Sequence, residues 1–484
     1  MSAEGFSPAQ LQRILDRFPA ARYWVAYSGG LDSHVLLHVL AQLTASPDST
    51  KRRNPSPSPL TGGDHTIFPP LSTGEGHTTF PPPLTGGGGG EGGFELHAVH
   101  VDHGLQTNST QWVKHCEEVC AELQIPLHSL QIKIKLQQGE SLEAAARDAR
   151  YQAIAALIED GDVLLTAHHQ DDQAETVLLQ LLRGAGPAGL AGMPECSAFS
   201  KGLHVRPLLH FTQAQLRTYA ETHHLVWVED RSNRDLRFDR NYLRHEITPR
   251  LRTRWPSYAR TLSRSATHSA EAAQLMEALA EMDSSNTDTL SVTALCTLDE
   301  ARQRNVLRTW IKRLGLPLPN TTHLDRVLHD VVNAKYDSTP LVHWQGAEIR
   351  RYRDLIHAMH PLPSHDARQI LVWDTDIPLT LPNGLGRLMA TPIKGKGIKT
   401  ALWQTLPITV RFRRGGERCR PVGRKENHEL KKLFQESGIP PWQRDRIPLI
   451  YLGEQLATVA GLWLCEPFQA NPEEMGIKFN VVRP

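Results

Sequence analysis

The chain is expected to be α/β, built on a doubly wound parallel sheet, with a helical middle domain and a small α+β C-terminal domain. Three observations predict this. An apolar, β-prone run, Tyr23-Trp24-Val25-Ala26-Tyr27, passes into Ser28-Gly29-Gly30-Leu31-Asp32-Ser33 and then into an apolar stretch of helical character. Strand-like and helical segments alternate as far as Leu182, the pattern of a sheet covered on both faces. Polar clusters follow three of the strand-like runs, and ligands of such sheets sit beyond the carboxyl ends of the strands.

Ser7-Pro8 reads as N-cap and first helical position, with Leu11, Ile14, Leu15 and Phe18 on one apolar face. The first strand and its helix reach about Leu43. Residues 46–93 are dominated by Pro, Gly, Ser and Thr, with a degenerate repeat (Leu60-Thr61-Gly62-Gly63, Leu71-Ser72-Thr73-Gly74, Leu84-Thr85-Gly86-Gly87). So few large apolar side chains cannot offset the ordering entropy, so a disordered insertion is expected. Residues 94–105 resume as a strand ending in His100-Val101-Asp102-His103-Gly104-Leu105. A helix over 111–123, a strand over 127–134 and a helix over 141–157 with Ser141 as N-cap follow. Residues 162–166 form a buried strand, which runs into Ala167-His168-His169-Gln170-Asp171-Asp172-Gln173-Ala174-Glu175-Thr176 and a helix to Leu182.

A glycine-rich loop occupies 184–192, and Arg206 follows a short strand. Residues 238–247 form a basic helix that closes the first domain. The pattern is then helical and polar to about residue 330. Gln345-Gly346 turns a hairpin across 341–358, 361–365 is a linker, and 370–484 mixes short strands with one helix, 428–436. The expected domains are 1–250, 251–362 and 368–484.

A chain of 484 residues is too long for one core. No apolar run reaches the ~20 residues of a membrane span, and no secretory leader is visible, so a cytoplasmic protein is expected. Six scattered cysteines (116, 120, 196, 296, 419, 465) give no disulfide framework, and no Cys-x-x-Cys pair supports zinc or an iron–sulfur cluster. Net charge is +1, but eight arginines fall between Arg231 and Arg254 and nine Lys/Arg between Arg411 and Lys432. Such clusters fit either a polyanion partner or a salt-bridged surface.

Strand, glycine turn and helix start point backbone N–H groups at an anion, and Gly29 and Gly30 permit its close approach. A carboxylate at Asp32 would repel a bare phosphate, which calls for a bridging Mg²⁺. The Lys-Ser/Thr ending of the P-loop is absent. Asp172 and Glu175 are three residues apart on a helix, so their carboxylates share a face. Either they bind ammonium groups, or one holds a metal, or Asp172 only caps its helix. His168, at a strand end, either meets an oxyanion or phosphate or is a packed side chain. Arg147 and Arg206 are forked clamps for phosphate or carboxylate, or Arg147 pairs with Glu143.

Ser-Gly-Gly-x-Asp-Ser resembles the signature of the PP-loop ATP pyrophosphatases. With the 100–105, 140–151, 166–186, 206–209 and 227–249 stretches, and with Arg413-Arg414-Gly415-Gly416-Glu417-Arg418-Cys419-Arg420 and 430–442, the chain resembles the tRNA(Ile)-lysidine synthetases. That resemblance implies an adenine-nucleotide α-hydrolase-like fold and an ATP-dependent ligase. It would activate C2 of the wobble cytidine in a tRNA(Ile) with a CAU anticodon and join L-lysine there, releasing AMP and pyrophosphate. It implies ATP binding by Ser28, Gly29, Gly30, Leu31, Asp32, Ser33, Asp102 and His103. Catalytic roles fall to Asp32, Arg147, His168, Asp172 and Glu175, and lysine binding to Asp172, Glu175 and Arg206. Asn241, Arg244 and His245 would meet RNA near the reacting base; Arg413, Arg414, Arg418, Arg420, Lys431 and Lys432 would hold a more distant part. Mg²⁺ would sit at Asp32. No membrane partner is expected, and the sequence does not fix the oligomeric state, leaving a homodimer open.

Three rivals remain. A tRNA thiolase of the same loop class needs persulfide or cluster cysteines, which the spacing does not supply. A small-molecule amidating ligase leaves the basic clusters unexplained. A non-catalytic tRNA-binding protein leaves Asp32, Asp172 and Glu175 unexplained.

Overall fold

The structure, a computed structural model, describes residues 5–45, 94–102, 109–132, 142–284, 288–336, 338–374 and 377–482. The expected insertion at 46–93, His103 and the Ser141 cap lie outside them. Two compact units divide the chain, Met1–Leu279 and Ala280–Pro484. No helix among the described residues is long and apolar enough to cross a membrane.

The first unit runs α1 (Pro8–Leu15), β1 (Arg22–Ala26), α2 (Leu31–Ala45), β2 (Glu95–Asp102), α3 (Ser109–Glu122), β3 (Leu127–Gln131), α4 (Leu142–Ala155), β4 (Val163–Leu165) and α5 (Gln170–Leu182). It continues through α6 (Pro187–Leu190), β5 (Cys196–Phe199), β6 (Gly202–Val205) and α7 (Gln213–Thr222). A helical tail follows: α8 (Asp239–Tyr242), a π-helical turn (Leu243–Ile247) and α9 (Thr248–Arg254), then the long α10 (Tyr258–Asp283). The sheet order is β3-β2-β1-β4-β6-β5. Its first five strands are parallel and β5 is antiparallel at the edge. This is the doubly wound sheet the alternation predicts.

Strand alternation builds two cores. Tyr23 and Val25 of β1 point into a cluster with Leu36, Leu40 and Leu216 from the helices on one face. Trp24 points the other way, onto Val99, Ile154, Ile158 and Leu164. Fully burying each such aliphatic side chain stabilises the fold by about 1.5–3 kcal/mol. With β1 buried on both faces, the strand reads as a continuous apolar run.

In the second unit, β7 (Leu290–Ser291), β8 (Leu341–Trp344), β9 (Ala347–Tyr352) and β10 (Leu355–Met359) form an antiparallel sheet of order β7-β10-β9-β8. It packs with the helix Glu300–Arg313 around Trp310, Ile311, Leu324, Val331 and Ile349. The expected hairpin is thus part of a larger sheet, with Gly346 at φ +83° in its first turn. Among the described residues, 370–482 hold three further antiparallel sheets, of five, four and two strands. The expected single helix over 428–436 is shorter, Leu430–Glu436, and Thr400–Thr405 and Pro441–Arg444 are also helical. Cys419 and Cys465 are joined as a disulfide with Cα atoms 5.8 Å apart, against the expectation of no disulfide. Their separation of 46 residues hid a pairing that only the strand packing creates.

Asp162, just before β4, ties that strand to β1. Its buried carboxylate accepts from Arg22 Nε at 2.9 Å, Trp24 Nε1 at 3.0 Å and the Glu159 backbone N–H at 3.0 Å. Burial opposes its charge, but Arg22 and the two neutral donors outweigh this and hold it below the ordinary 3.8. A depressed carboxylate contributes stability above its unfolded pKa and loses it as pH falls through the folded value. Asp162→Ala should therefore lower unfolding free energy by about 2–4 kcal/mol at pH 7. In urea titrations, the gap between wild type and Asp162→Asn should shrink as pH drops below ~4.

Candidate active site

Beyond β1, Tyr27 N–H donates to Val99 O of β2 at 2.9 Å, and the chain then turns sharply. Gly29 sits at φ +76°, and a Cβ there would stand 2.6 Å from Trp112 Nε1. That indole N–H donates to Ser28 O at 2.6 Å. The buried Ser33 hydroxyl donates to Gly30 O at 3.0 Å and accepts from Ser28 N–H at 3.2 Å. Ser33 is therefore a staple of the loop, while Ser28 stays exposed. The Val228 N–H pins Gly29 O at 3.0 Å. Asp32 occupies the first turn of α2, where the helix end favours a carboxylate. Its Oδ1 is buried without a protein hydrogen-bond partner, and Oδ2 lies 3.6 Å from His169 Nε2.

Beyond β4, Thr166, His168 and His169 lead into α5. His169 Nε2 lies 3.4 Å from Asp172 Oδ2, so this imidazole stands between the two carboxylates, Asp32 and Asp172. Burial works against its charge, yet Asp172 first and Asp32 next push it up to about 9. Asp172 is held well below the usual carboxylate range, against its burial, by His169, His168 and Arg244. Glu175 moves the other way, because burial raises it more than Arg244 lowers it.

Both carboxylates are engaged by the helical tail. Arg244 Nε donates to Glu175 Oε1 at 2.7 Å, and its Nη2 to Asp172 Oδ1 at 3.0 Å and Glu175 Oε2 at 2.8 Å. Arg240 adds a bond to Glu175 Oε2 at 3.2 Å and one to Thr176 Oγ1 at 2.9 Å. Asp171 is similarly held by Arg252 at 2.9 Å and receives the Tyr258 hydroxyl at 3.3 Å.

These elements enclose a cavity of about 590 Å³, whose wall includes Asp32, Arg147, His168, Glu175 and Arg244. Ser28, Gly30, Leu31, Ser33 and His245 also reach it. The Arg147 guanidinium lies 5.1 Å from the centre of the Tyr151 ring. Asp102 ends β2, opposite Gln131, on the same sheet edge but outside the cavity wall. Arg206 is buried, with Nη1 donating to Pro194 O at 2.8 Å and Nη2 to His204 Nδ1 at 3.1 Å. Within the basic stretch 238–247, Arg244, expected to meet RNA, is engaged with Glu175 and Asp172. Asn241 is buried and donates to Asp235 O at 3.0 Å. His245 is exposed, 2.7 Å from Asn233 O. In the second unit Arg418, Arg420, Lys431 and Lys432 are exposed. Arg413 pairs with Asp445 at 2.9 Å, and Arg414 donates to the Ala367 and Arg368 carbonyls.

Sequence reasoning missed His169 and Arg240. His169 was visible as the residue before a helix rich in acidic side chains. Arg240 lies 65 residues from Glu175, and no local pattern joins them.

Two outcomes are expected. Gly29→Ala should destabilise the protein by about 1–3 kcal/mol, read by urea unfolding, because φ and the indole both resist a Cβ. Arg244→Ala should cost about 3–5 kcal/mol, while Arg244→Met combined with Glu175→Gln should recover most of that loss.

The family model of the PP-loop domain matches residues 85–251. That of the TilS substrate binding domain matches 290–357, and that of the TilS substrate C-terminal domain 408–481. The tRNA(Ile)-lysidine synthase of Coxiella burnetii is 42% identical over 483 residues, covering 99% of this chain and 97% of that one. Those of Methylococcus capsulatus and Edwardsiella ictaluri are each 41% identical, over 95% of this chain and 96% and 95% of theirs. With such identity along nearly the full length of both chains, the protein belongs to the tRNA(Ile)-lysidine synthase family.

Proposed function

We propose that the protein joins L-lysine to C2 of the wobble cytidine of a tRNA(Ile) with a CAU anticodon, forming a C–N bond at the expense of ATP. What carries this reading is the full-length match to lysidine synthases. The cytidine O2 attacks the α-phosphorus and pyrophosphate departs. The lysine ε-amine then attacks C2, AMP leaves with O2, and a proton passes from the amine to a base.

The residue roles rest on the cavity wall and, for Asp172 and Arg240, which are not part of it, on their ion pairs to Arg244 and Glu175. The 28–33 loop receives the phosphates, with backbone N–H groups at the start of α2 facing the anion. The buried, unpartnered Oδ1 of Asp32 fits a hard cation such as Mg²⁺, which takes one or two protein carboxylates plus phosphate oxygens. Mg²⁺ there would neutralise charge on the departing pyrophosphate. Arg147, exposed on the cavity wall, suits an anionic group of either substrate. Asp172 and Glu175 suit the ammonium groups of lysine, with Arg240 and Arg244 balancing them. Asp172 and Glu175 are also the candidate acceptors of the amine's proton. Residues 1–250 would carry the chemistry, and 251–362 and 368–484 the grip on tRNA. The exposed Arg420, Lys431 and Lys432 suit phosphates, as does Arg418, which also donates to Asn427 O, whereas Arg413 is half spent on Asp445.

The test is direct. Incubating the protein with labelled lysine, ATP, Mg²⁺ and unmodified tRNA(Ile) should place label in the RNA and release pyrophosphate; no incorporation with any tRNA would sink the proposal. Asp32→Ala should abolish turnover while gel-shift affinity for tRNA stays near wild type. Changing Arg418, Arg420, Lys431 and Lys432 to Glu should weaken tRNA binding at least tenfold. It should also flatten the slope of log K against log salt, by roughly 0.7–0.9 for each phosphate no longer neutralised.

A further inference from the structure

His168 reaches the cavity from the end of β4, and its Nδ1 is taken up by Thr166 Oγ1, 2.8 Å away, which leaves Nε2 for a ligand. Thr166 is itself buried, and its hydroxyl also lies 2.8 Å from His204 Nε2. His204 is buried on β6, flanked by Tyr151 and Phe199, with Nδ1 3.1 Å from Arg206 Nη2. Four side chains from two adjacent strand ends thus form one unbroken line: Arg206, His204, Thr166, His168.

The direction of every hydrogen bond in that line follows from its first member. A guanidinium has only donors. His204 Nδ1 must therefore accept, and the His204 proton sits on Nε2. That N–H donates to Thr166 Oγ1. The threonine's own O–H is then left for His168 Nδ1, because a buried hydroxyl proton without an acceptor costs about 1–3 kcal/mol. His168 Nδ1 accepts, so in the neutral ring the proton is on Nε2, the nitrogen left to the cavity. A second proton on His168 would set Nδ1–H against the threonine hydrogen.

We infer that Arg206, His204 and Thr166 are positioning residues that hold His168 as a neutral imidazole offering Nε2–H to an anionic oxygen of the bound substrates. Burial first, then the positive field of Arg206, Arg147 and Arg240, lower the His168 pKa to about 3, against the pull of Asp172. His204 is likewise lowered by burial and Arg206. His168 is thereby a donor throughout the neutral range and neither a general base nor a cation. The inference rests on the function proposed above only for which oxygen is met. Arg206 here acts through two other side chains and not as a clamp on substrate.

The test reads the tautomer without turnover. Full-length protein with ¹⁵N-histidine is compared at pH 7 with His168→Gln, which assigns the His168 ring signals. Wild type should show protonated Nε2 and bare Nδ1; the reverse, or a doubly protonated ring, would overturn the inference. Thr166→Val keeps the shape but removes the relay hydroxyl. It should add the Nδ1–H tautomer and lower kcat for pyrophosphate release roughly 10²-fold, with KM for ATP within about threefold. Thr166→Ser should retain the wild-type tautomer and recover most of the rate. A Thr166→Val protein with unchanged tautomer and rate would refute the relay. Should the wild-type tautomer be as described while no tRNA accepts lysine, the proposed function falls and the relay stands.

Discussion

Two carboxylates one helical turn apart, the half-buried Asp172 and the buried Glu175, lie at the start of α5, and that arrangement cannot stand without cations. An isolated buried carboxylate would take up a proton or expel the helix from the core. Here Arg244 reaches both and Arg240 supports one, from a tail more than sixty residues downstream. The same ion pairs that satisfy α5 draw the tail across the sheet edge and complete the cavity wall. Stability and site assembly are one interaction, and lysine recognition would have to compete with it or be completed by it.

Around that charge set the backbone supplies the geometry. Parallel strands end on one side, so the turns after β1 and β4 meet without any long-range design beyond strand order. The β1 turn is locked from within by Ser33 and from outside by Trp112 and Val228. That rigidity is what the proposed phosphate-binding role would need, since N–H groups fixed in advance do not have to reorganise. The β4 turn carries the more varied chemistry: a histidine between carboxylates, and a second histidine whose proton is placed by a distant arginine.

The fold class was legible because its signals are local. A strand buried on both faces is apolar throughout, a helix start has its cap, and a glycine at positive φ has few substitutes. The PP-loop, the Asp172–Glu175 pair and the exposed basic residues of the second unit were likewise visible as short motifs. The Arg240–Glu175 ion pair, the inward turn of Arg244 and the burial of Asn241 were not. A basic helical stretch reads the same whether its arginines face phosphate or buried carboxylates, since only the opposite surface distinguishes them. The Cys419–Cys465 pairing was hidden for the same reason.

The amino-acid order alone determined the doubly wound sheet, the glycine turn after its first strand and the carboxylates beside it, because each depends on neighbours within a few residues. Tertiary structure alone decided which charges neutralise which, that Arg206 is spent on His204, and which nitrogen of His168 holds the proton. Those outcomes depend on donors and acceptors meeting across β4, β6 and the helical tail. Hydrogen-bond direction is a property of a whole connected network and is not encoded at any one position in the chain.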